Sequence, residues 1–569
     1  MLAPSTANTM PSSPLPEFTD KRARRKALGA YYTPPELASV LVRWAVDDDT
    51  TRVLDPSHGD GRFLQAAIDR LRGLGVRAPQ RRVFGAELDS SAIGRPALLQ
   101  DDVPVQNLVA GDFFATDLDS WDGKRFDAIV GNPPYVRHHL LPAGSKRLAQ
   151  LHARRVGIAL SERADAWAYF CAALLDYLEP RGRLALLLPG AVLHAEYALP
   201  LLHKLSEAGG RVRLIRIQRR LFEDAAERTV VLLIDGRHAS VGVDYREVSD
   251  VKELASVLGG KSSSSGGWRS SASLDSDTVA VPALRLRTRL RWFVSPDVAD
   301  IWERITETRE VRLLGDVAEI RIGVVTGANR FFVLDEPTAG TLRGSGVATM
   351  PVVSRGAWLN GVRWTEDDQQ LRRDKPSQLL LVDSRARRER LRKALREAID
   401  GAEEQAIDER SHCKLRKPWY SLRDWRPPKL FLPYMASVPP RLVVNHAQAT
   451  CTNAIHRVDL KTGQPGAAAI AAASWTSLYR LSAELVGRSY GAGVLKLEPN
   501  EAVQLRIPIF PGGAQNLHKI ERALSRGGYD EAQEVADSLL LRDHMGLSAR
   551  DVEILREAAS ELQRRRCSG

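Results

Sequence analysis

The sequence predicts an α/β fold in its first part, a mixed α+β region after it, and a helical C-terminal segment. Three observations carry this. Short apolar runs alternate with helical patterns between about residues 20 and 250, the pattern of βαβ units around a parallel sheet. The glycine–serine stretch Gly259–Gly267 follows, and such a composition buries no core. Apolar residues return at helical spacing from about residue 514 onward. The chain therefore divides into a loose tail (1–19), a first domain (20–250), a linker or loop (255–280), a second domain (285–510) and a helical segment (511–569).

The elements follow in order. Met1–Pro16 is a Pro/Ser tail without a charged-then-apolar signal pattern. Strands are predicted at Arg52–Leu54, Val83–Ala86, Phe126–Val130 and Leu184–Leu188, each a short apolar run that ends in turn residues. Ala164–Leu178 reads as a helix. Residues 285–510 mix apolar runs with Arg, Trp and Pro and show no dominant period. Near the end, Ser548 caps a helix to Arg566, with Asp551 completing a capping box. Val552, Leu555, Ala559 and Leu562 form its apolar stripe.

Bulk properties narrow the function classes. The 569 residues exceed one ordinary core. Hydrophobic residues make up 44% and charged residues 27%, a globular composition. The longest apolar runs are far too short to span a membrane. Four scattered cysteines, with no CxxC pair, argue against disulfides or a zinc site and fit a reducing cytoplasm; no metal is expected. The net charge of +11 favours approach to phosphate polyanions.

Two groups of residues carry chemistry. Asp55–Pro56–Ser57–His58–Gly59–Asp60–Gly61–Arg62–Phe63–Leu64 follows the first strand, where open α/β sheets bind ligands. Gly59 and Gly61 let backbone pass close to a ligand. Glu87 closes the next strand, placed to accept ribose hydroxyls, and Asp112–Phe113 follow a third, placed for an adenine amine and ring. Leu64 stands where a dinucleotide fingerprint needs its third glycine, which favours a single-adenosine ligand. The second group is Asn132–Pro133–Pro134–Tyr135, after the strand ending at Gly131. Two prolines stiffen this loop. The Asn132 side-chain oxygen and the Pro133 carbonyl become fixed acceptors for a planar NH2 group, and Tyr135 offers a face for stacking.

Together these residues resemble the gamma-type, TaqI-like N6-adenine DNA methyltransferases of restriction–modification systems. Gly29–Pro35 resembles the family's Tyr-x-Thr-Pro entry segment, and Tyr31, Thr33 and Pro34 would close over the methionine end of the cofactor. Asp55, Pro56, Gly59, Gly61, Phe63 and Leu64 match the cofactor loop, Glu87 the ribose acid, and Asp112–Phe113 the adenine contact. Phe222 resembles the aromatic that sandwiches the flipped base against Tyr135. Asp165–Pro189 looks like the family's helix–turn–strand segment. Ile322–Phe332, Trp419–Tyr420 and Tyr490–Lys496 look like parts of the recognition domain. His58 and Asp60 depart from the family, which usually has a small residue or Cys and a Ser there; His58 reads as a loop residue rather than a base. The resemblance implies a Rossmann-like class I fold, S-adenosylmethionine as cofactor and double-stranded DNA as partner. A separately encoded restriction endonuclease or defence subunit fits the same setting. Phosphate contacts are expected from Lys21–Lys26 and from Arg285, Arg287, Arg289 and Arg291 on one face of a strand. Arg385–Lys393 reads as a surface helix. Methylation of RNA bases or of a protein glutamine amide is the competing reading, and a DNA-binding specificity subunit without activity is a third. No room for a nuclease domain is seen before residue 29.

Overall fold

A computed structural model describes residues 33–88, 103–135, 143–160, 164–193, 195, 197–219, 221, 229–237, 240–260, 268–270, 289–382, 388, 391–490, 493–510 and 513–567. Tyr31, Phe222, Lys21–Lys26, Arg285, Arg287 and Lys261–Gly267 lie outside them. The chain forms two compact units, Met1–Trp292 and Phe293–Gly569.

In the first unit, α1 (Pro35–Ala45) leads to β1 (Val53–Asp55), α2 (Arg62–Gly73), β2 (Val83–Glu87), β3 (Leu108–Ala110) and β4 (Phe126–Gly131). Next come α3 (Ala166–Leu174), β5 (Leu178–Pro189), β6 (Arg211–Ile217), β7 (Thr229–Asp235), β8 (Val243–Val248), α4 (Val251–Leu258) and β9 (Arg269–Ser270). Among the described residues these strands make one sheet in the order β3-β2-β1-β4-β5-β7-β6-β8-β9. β3 to β5 run parallel. β7 is antiparallel to both its neighbours. The sheet is therefore mixed, where the alternating pattern predicted a parallel one. Only eleven residues, 218–228, join β6 to β7, and a parallel crossover needs a dozen or more.

Local sequence explains the helices. Pro34 and Pro35 pre-set the backbone for the first turn of α1. α2 starts where Gly61, at φ +86°, reverses the chain. Leu41 and Val42 of α1, Phe63 and Ile68 of α2 and Leu254 of α4 pack with Val53, Val83, Val130 and Val231 in one apolar cluster. Burying each such side chain stabilises the unit by roughly 1.5–3 kcal/mol. α3 is shorter than the helix predicted for 164–178, because Leu178 already opens β5 and pairs with Phe126. After the glycine–serine stretch the chain returns to the sheet, where Tyr245 of β8 pairs with Arg269.

Arg289 and Arg291 do not lie on a strand. Residues 289–293 are helical, and Arg289 is buried while Arg291 is exposed. The alternation of arginine suggested a period of two. Tertiary packing overrides it: Trp292 stacks on Tyr245, with ring centroids 5.4 Å apart.

The second unit holds a five-stranded sheet in the order Ala318–Ile322, Ile455–Leu460, Leu430–Pro433, Val443–Asn445, Arg363–Trp364. Gly323 follows its edge strand; a Cβ there would lie 2.2 Å from the Thr452 carbonyl oxygen, so only glycine fits. Phe332, Ile399, Trp419, Tyr420 and Leu422 belong to a second apolar cluster. α5 spans Lys393–Glu404; most of the surface helix predicted over Arg385–Lys393, namely residues 385–387, 389 and 390, lies outside the described residues. Two further helical segments belong to the same unit: α6 (Gly513–Ala536), broken by a kink at Gly527–Gly528, and α7 (Ala549–Cys567). The capping box at α7 forms: Asp551 N–H donates to Ser548 Oγ at 3.0 Å, and Ser548 N–H to Asp551 Oδ2 at 3.4 Å.

Candidate active site

Four adjacent parallel strands, β3-β2-β1-β4, end on the residues that the sequence singled out. β1 ends at Asp55, β2 at Glu87, β3 one residue before Gly111–Asp112, and β4 at Gly131 before Asn132. With neighbouring strands about 4.8 Å apart, these ends span roughly 14 Å along the carboxyl edge of the sheet, where α/β folds bind ligands.

The cofactor loop is tied down at each step. His58 N–H donates to the Ala86 carbonyl at 3.1 Å, and Gly61 N–H to the His58 carbonyl at 2.8 Å. Gly59 N–H donates to Glu87 Oε2 at 2.9 Å, so one oxygen of the expected ribose acid also fixes the loop. Gly59 has φ +52°, and a Cβ there would meet nothing within 4 Å, which leaves open space above the loop. Asp55 is 1% exposed and accepts from Ser57 N–H at 3.1 Å. Burial, reinforced by Glu87 and Asp60, holds its carboxyl well above the usual range.

The departures from the family have places of their own. His58 lies buried beneath the loop, its ring against Gly85 and its Nδ1 3.2 Å from the Gly59 carbonyl. Burial holds the imidazole below its ordinary pKa. Asp60 faces Arg62, with 3.7 Å between their charged groups.

The Asn-Pro-Pro-Tyr loop meets both other segments. Ser57 Oγ donates to the Asn132 carbonyl at 3.4 Å, and Asn132 Nδ2 donates to Thr33 Oγ1 at 3.4 Å. Thr33 is buried and followed by Pro34. Pro133 is buried, while Asn132, Pro134 and Tyr135 are half-buried. A Cβ on Gly131 would lie 2.9 Å from Asp55 Oδ1 and 3.2 Å from Pro56 Cδ. The missing side chain is what lets the two loops touch. Ser57 and Gly131 were not singled out from the sequence. Gly131 could have been found from its position directly before Asn132.

Two expected contacts are already engaged. Asp112 Oδ1 accepts from Phe114 N–H at 3.0 Å and caps a short turn. Phe113 is 3% exposed and stacks on Phe170 at 5.4 Å. Phe63 is buried in the core and shapes α2 from within.

The donor set suits a cationic nucleoside: open space over a glycine turn, a row of carboxylates and, beside it, a stiff pair of carbonyl-type oxygens. Similarity to known proteins agrees. Residues 15–240 match the N-6 DNA Methylase family model, and residues 287–541 match the C-terminal domain of Type II methyltransferase M.Eco57I. The chain is 24% identical over 515 residues to Type II methyltransferase M.XamI of Xanthomonas campestris pv. amaranthicola, covering 87% of each chain. It is 19% identical over 490 residues to M.AccI of Acinetobacter calcoaceticus, covering 84% of each. Its fold is similar to that of the Type IIL restriction–modification enzyme MmeI, with a TM-score of 0.59 at 13% identity over 96% of this chain and 80% of that one. Methyltransferase models thus match both compact units in consecutive order, and with the Type II relatives they support an adenine-specific N6 DNA methyltransferase of a restriction–modification system.

Proposed function

We propose that this site moves a methyl group from S-adenosylmethionine to N6 of an adenine flipped out of double-stranded DNA. The observation that carries the reading is the meeting of three loops: Thr33 and Ser57 both contact Asn132, and Gly131 abuts Asp55. Asp55, Pro56, Gly59, Gly61, Glu87, Asp112 and Phe113 would hold S-adenosylmethionine, with Tyr31, Thr33 and Pro34 closing over its methionine end. Bound there, it supplies a methyl carbon made electrophilic by a sulfonium.

The chain's own residues do the rest. An aromatic amine is a poor nucleophile because its lone pair is delocalised into the ring. The Asn132 side-chain oxygen and the Pro133 carbonyl accept hydrogen bonds from its two hydrogens and draw the nitrogen toward tetrahedral geometry. Pro133 and Pro134 keep those acceptors fixed, so positioning and electrostatics supply the acceleration. Tyr135, with Phe222 opposite, stacks on the extruded base. Extrusion costs a few kcal/mol, which stacking and phosphate contacts offset. After transfer the nitrogen is acidic and loses its proton without a dedicated base.

The MmeI structure was solved in complex with DNA, which supports duplex DNA as the partner. A separately encoded restriction endonuclease or defence subunit and a cytoplasmic location belong to the same reading. No helix among the described residues is long and apolar enough to cross a membrane. The test measures tritium transfer from labelled cofactor to duplex DNA, RNA and a glutamine-bearing release-factor peptide. Transfer to duplex adenine is expected, and Asn132→Ala should lower it about 10²–10³-fold with cofactor binding intact. Transfer to RNA or peptide alone would refute the reading.

A further inference from the structure

The mechanism leaves one strongly charged surface unexplained. Residues 410–429 of the second unit carry seven Lys and Arg residues against a single acid, Asp424. Lys414, Lys417, Arg423 and Arg426 are exposed, and no ion pair of theirs is recorded among the described residues. The segment is nonetheless held along its length. Cys413, Trp419, Tyr420 and Leu422 are buried in the apolar cluster. Trp419 Nε1 donates to Glu403 at 2.8 Å. Arg416 donates to the Val325 and Thr326 carbonyls at 3.1 and 2.6 Å, and Asn445 Nδ2 to the Pro428 carbonyl at 2.8 Å. It is a strap fastened by its buried residues and by Arg416, with Lys414, Lys417, Arg423 and Arg426 exposed.

A solvated charged face has no use for apolar side chains. Here Leu415, between Lys414 and Arg416, is 78% exposed, and Trp425, between Asp424 and Arg426, is 41% exposed. Cations that alternate with apolar groups match a chain of phosphates that alternate with sugars. A cleft of about 680 Å³ opens at the upstream end, lined by Lys414, Arg416, Lys417 and Trp419 and by the acids Glu403, Asp408 and Glu409. Glu403 is paired with Arg388; Asp408 and Glu409 repel phosphate and mark where the basic run stops.

We propose that the strap 410–429 is the surface on which the second unit seats the sugar–phosphate backbone of duplex DNA. This rests on the reading of the chain as a DNA methyltransferase. The cations hold phosphates without reading bases, and Leu415 and Trp425 pack against sugars.

The test uses the full chain and a fluorescent 30-base-pair duplex (a length on the order of three turns), with affinity measured over a range of salt. Lys414→Gln, Lys417→Gln, Arg423→Gln and Arg426→Gln together should lower the slope of log K against log salt by about 2–4, since each lost phosphate contact removes about 0.9. Trp425→Ala should weaken binding several-fold and leave that slope unchanged. The double variant Arg423→Gln/Arg426→Gln, with a slope change of about half, serves if the quadruple variant does not fold. An unchanged slope in a variant that melts like the wild type overturns the proposal. So does retained duplex binding with lost binding to RNA or to an acidic protein. Wild-type methyl transfer, measured in parallel, separates the two failures: transfer with an unchanged slope sinks the strap alone, and no transfer sinks the underlying reading.

Discussion

Asp55 sits buried at the end of β1 with its carboxyl pushed up, chiefly by burial and further by Glu87 and Asp60. A carboxyl raised on folding gives stability that is full below its unfolded pKa and lost as pH rises through the folded value. Asp55→Asn should therefore raise the melting temperature at pH 8 more than at pH 4, while it weakens affinity for S-adenosylmethionine. A bound cation favours the ionised carboxylate, so wild-type affinity should increase with pH over the same range, and Asp55→Asn should erase the dependence. Thermal scans and calorimetric titrations at several pH values check both. Equal melting shifts at both pH values would show that the carboxyl is ionised without cost. Asp55, Glu87 and Asn132 were legible in the sequence because each closes a recognisable strand. The engagement of Asp112 with Phe114 N–H, and of Phe113 with Phe170, was not. Such contacts depend on side-chain packing between segments distant in sequence, which no local spacing encodes.

The close approach of β1 and β4 depends on what Gly131 lacks. Gly131→Ala would place a methyl 2.9 Å from Asp55 Oδ1 and 3.2 Å from Pro56 Cδ. Either the cofactor loop or the Asn-Pro-Pro-Tyr loop must move. A misplacement of this size costs about 10²-fold when reacting groups must align. Methyl transfer should fall by that factor with a melting temperature within a few degrees of wild type, as steady-state kinetics and thermal unfolding would show; unaltered transfer would mean that the loops give way freely. Among the strands, β1, β2, β4 and β5 were legible as apolar runs that end in turn residues. The direction of β7 was not read from residue types. It follows from the eleven residues that join it to β6, a length constraint that bears only once both strands are recognised.

The two units each carry buried polar networks as well as apolar cores. In the second, Arg566 near the end of α7 is 5% exposed, and its guanidinium meets the Glu484 carboxylate at 2.7 and 2.9 Å. It also donates to the Ser437 carbonyl at 3.2 Å. Arg566→Ala leaves Glu484 buried without its cation, a change that costs about 3–5 kcal/mol. Urea unfolding should show a loss of that size in the second unit. A loss under about 1 kcal/mol, the worth of a surface pair, would show that solvent reaches Glu484. Composition suggested a border near the glycine–serine stretch. The chain divides into its compact units between Trp292 and Phe293, and β9, beyond that stretch, still pairs with β8. This has a practical consequence for anyone exchanging recognition modules between relatives. A chimaera spliced inside the glycine–serine stretch would give β8 a foreign edge partner and take Trp292 from its seat on Tyr245. A graft that begins at Phe293 keeps the recipient's sheet whole.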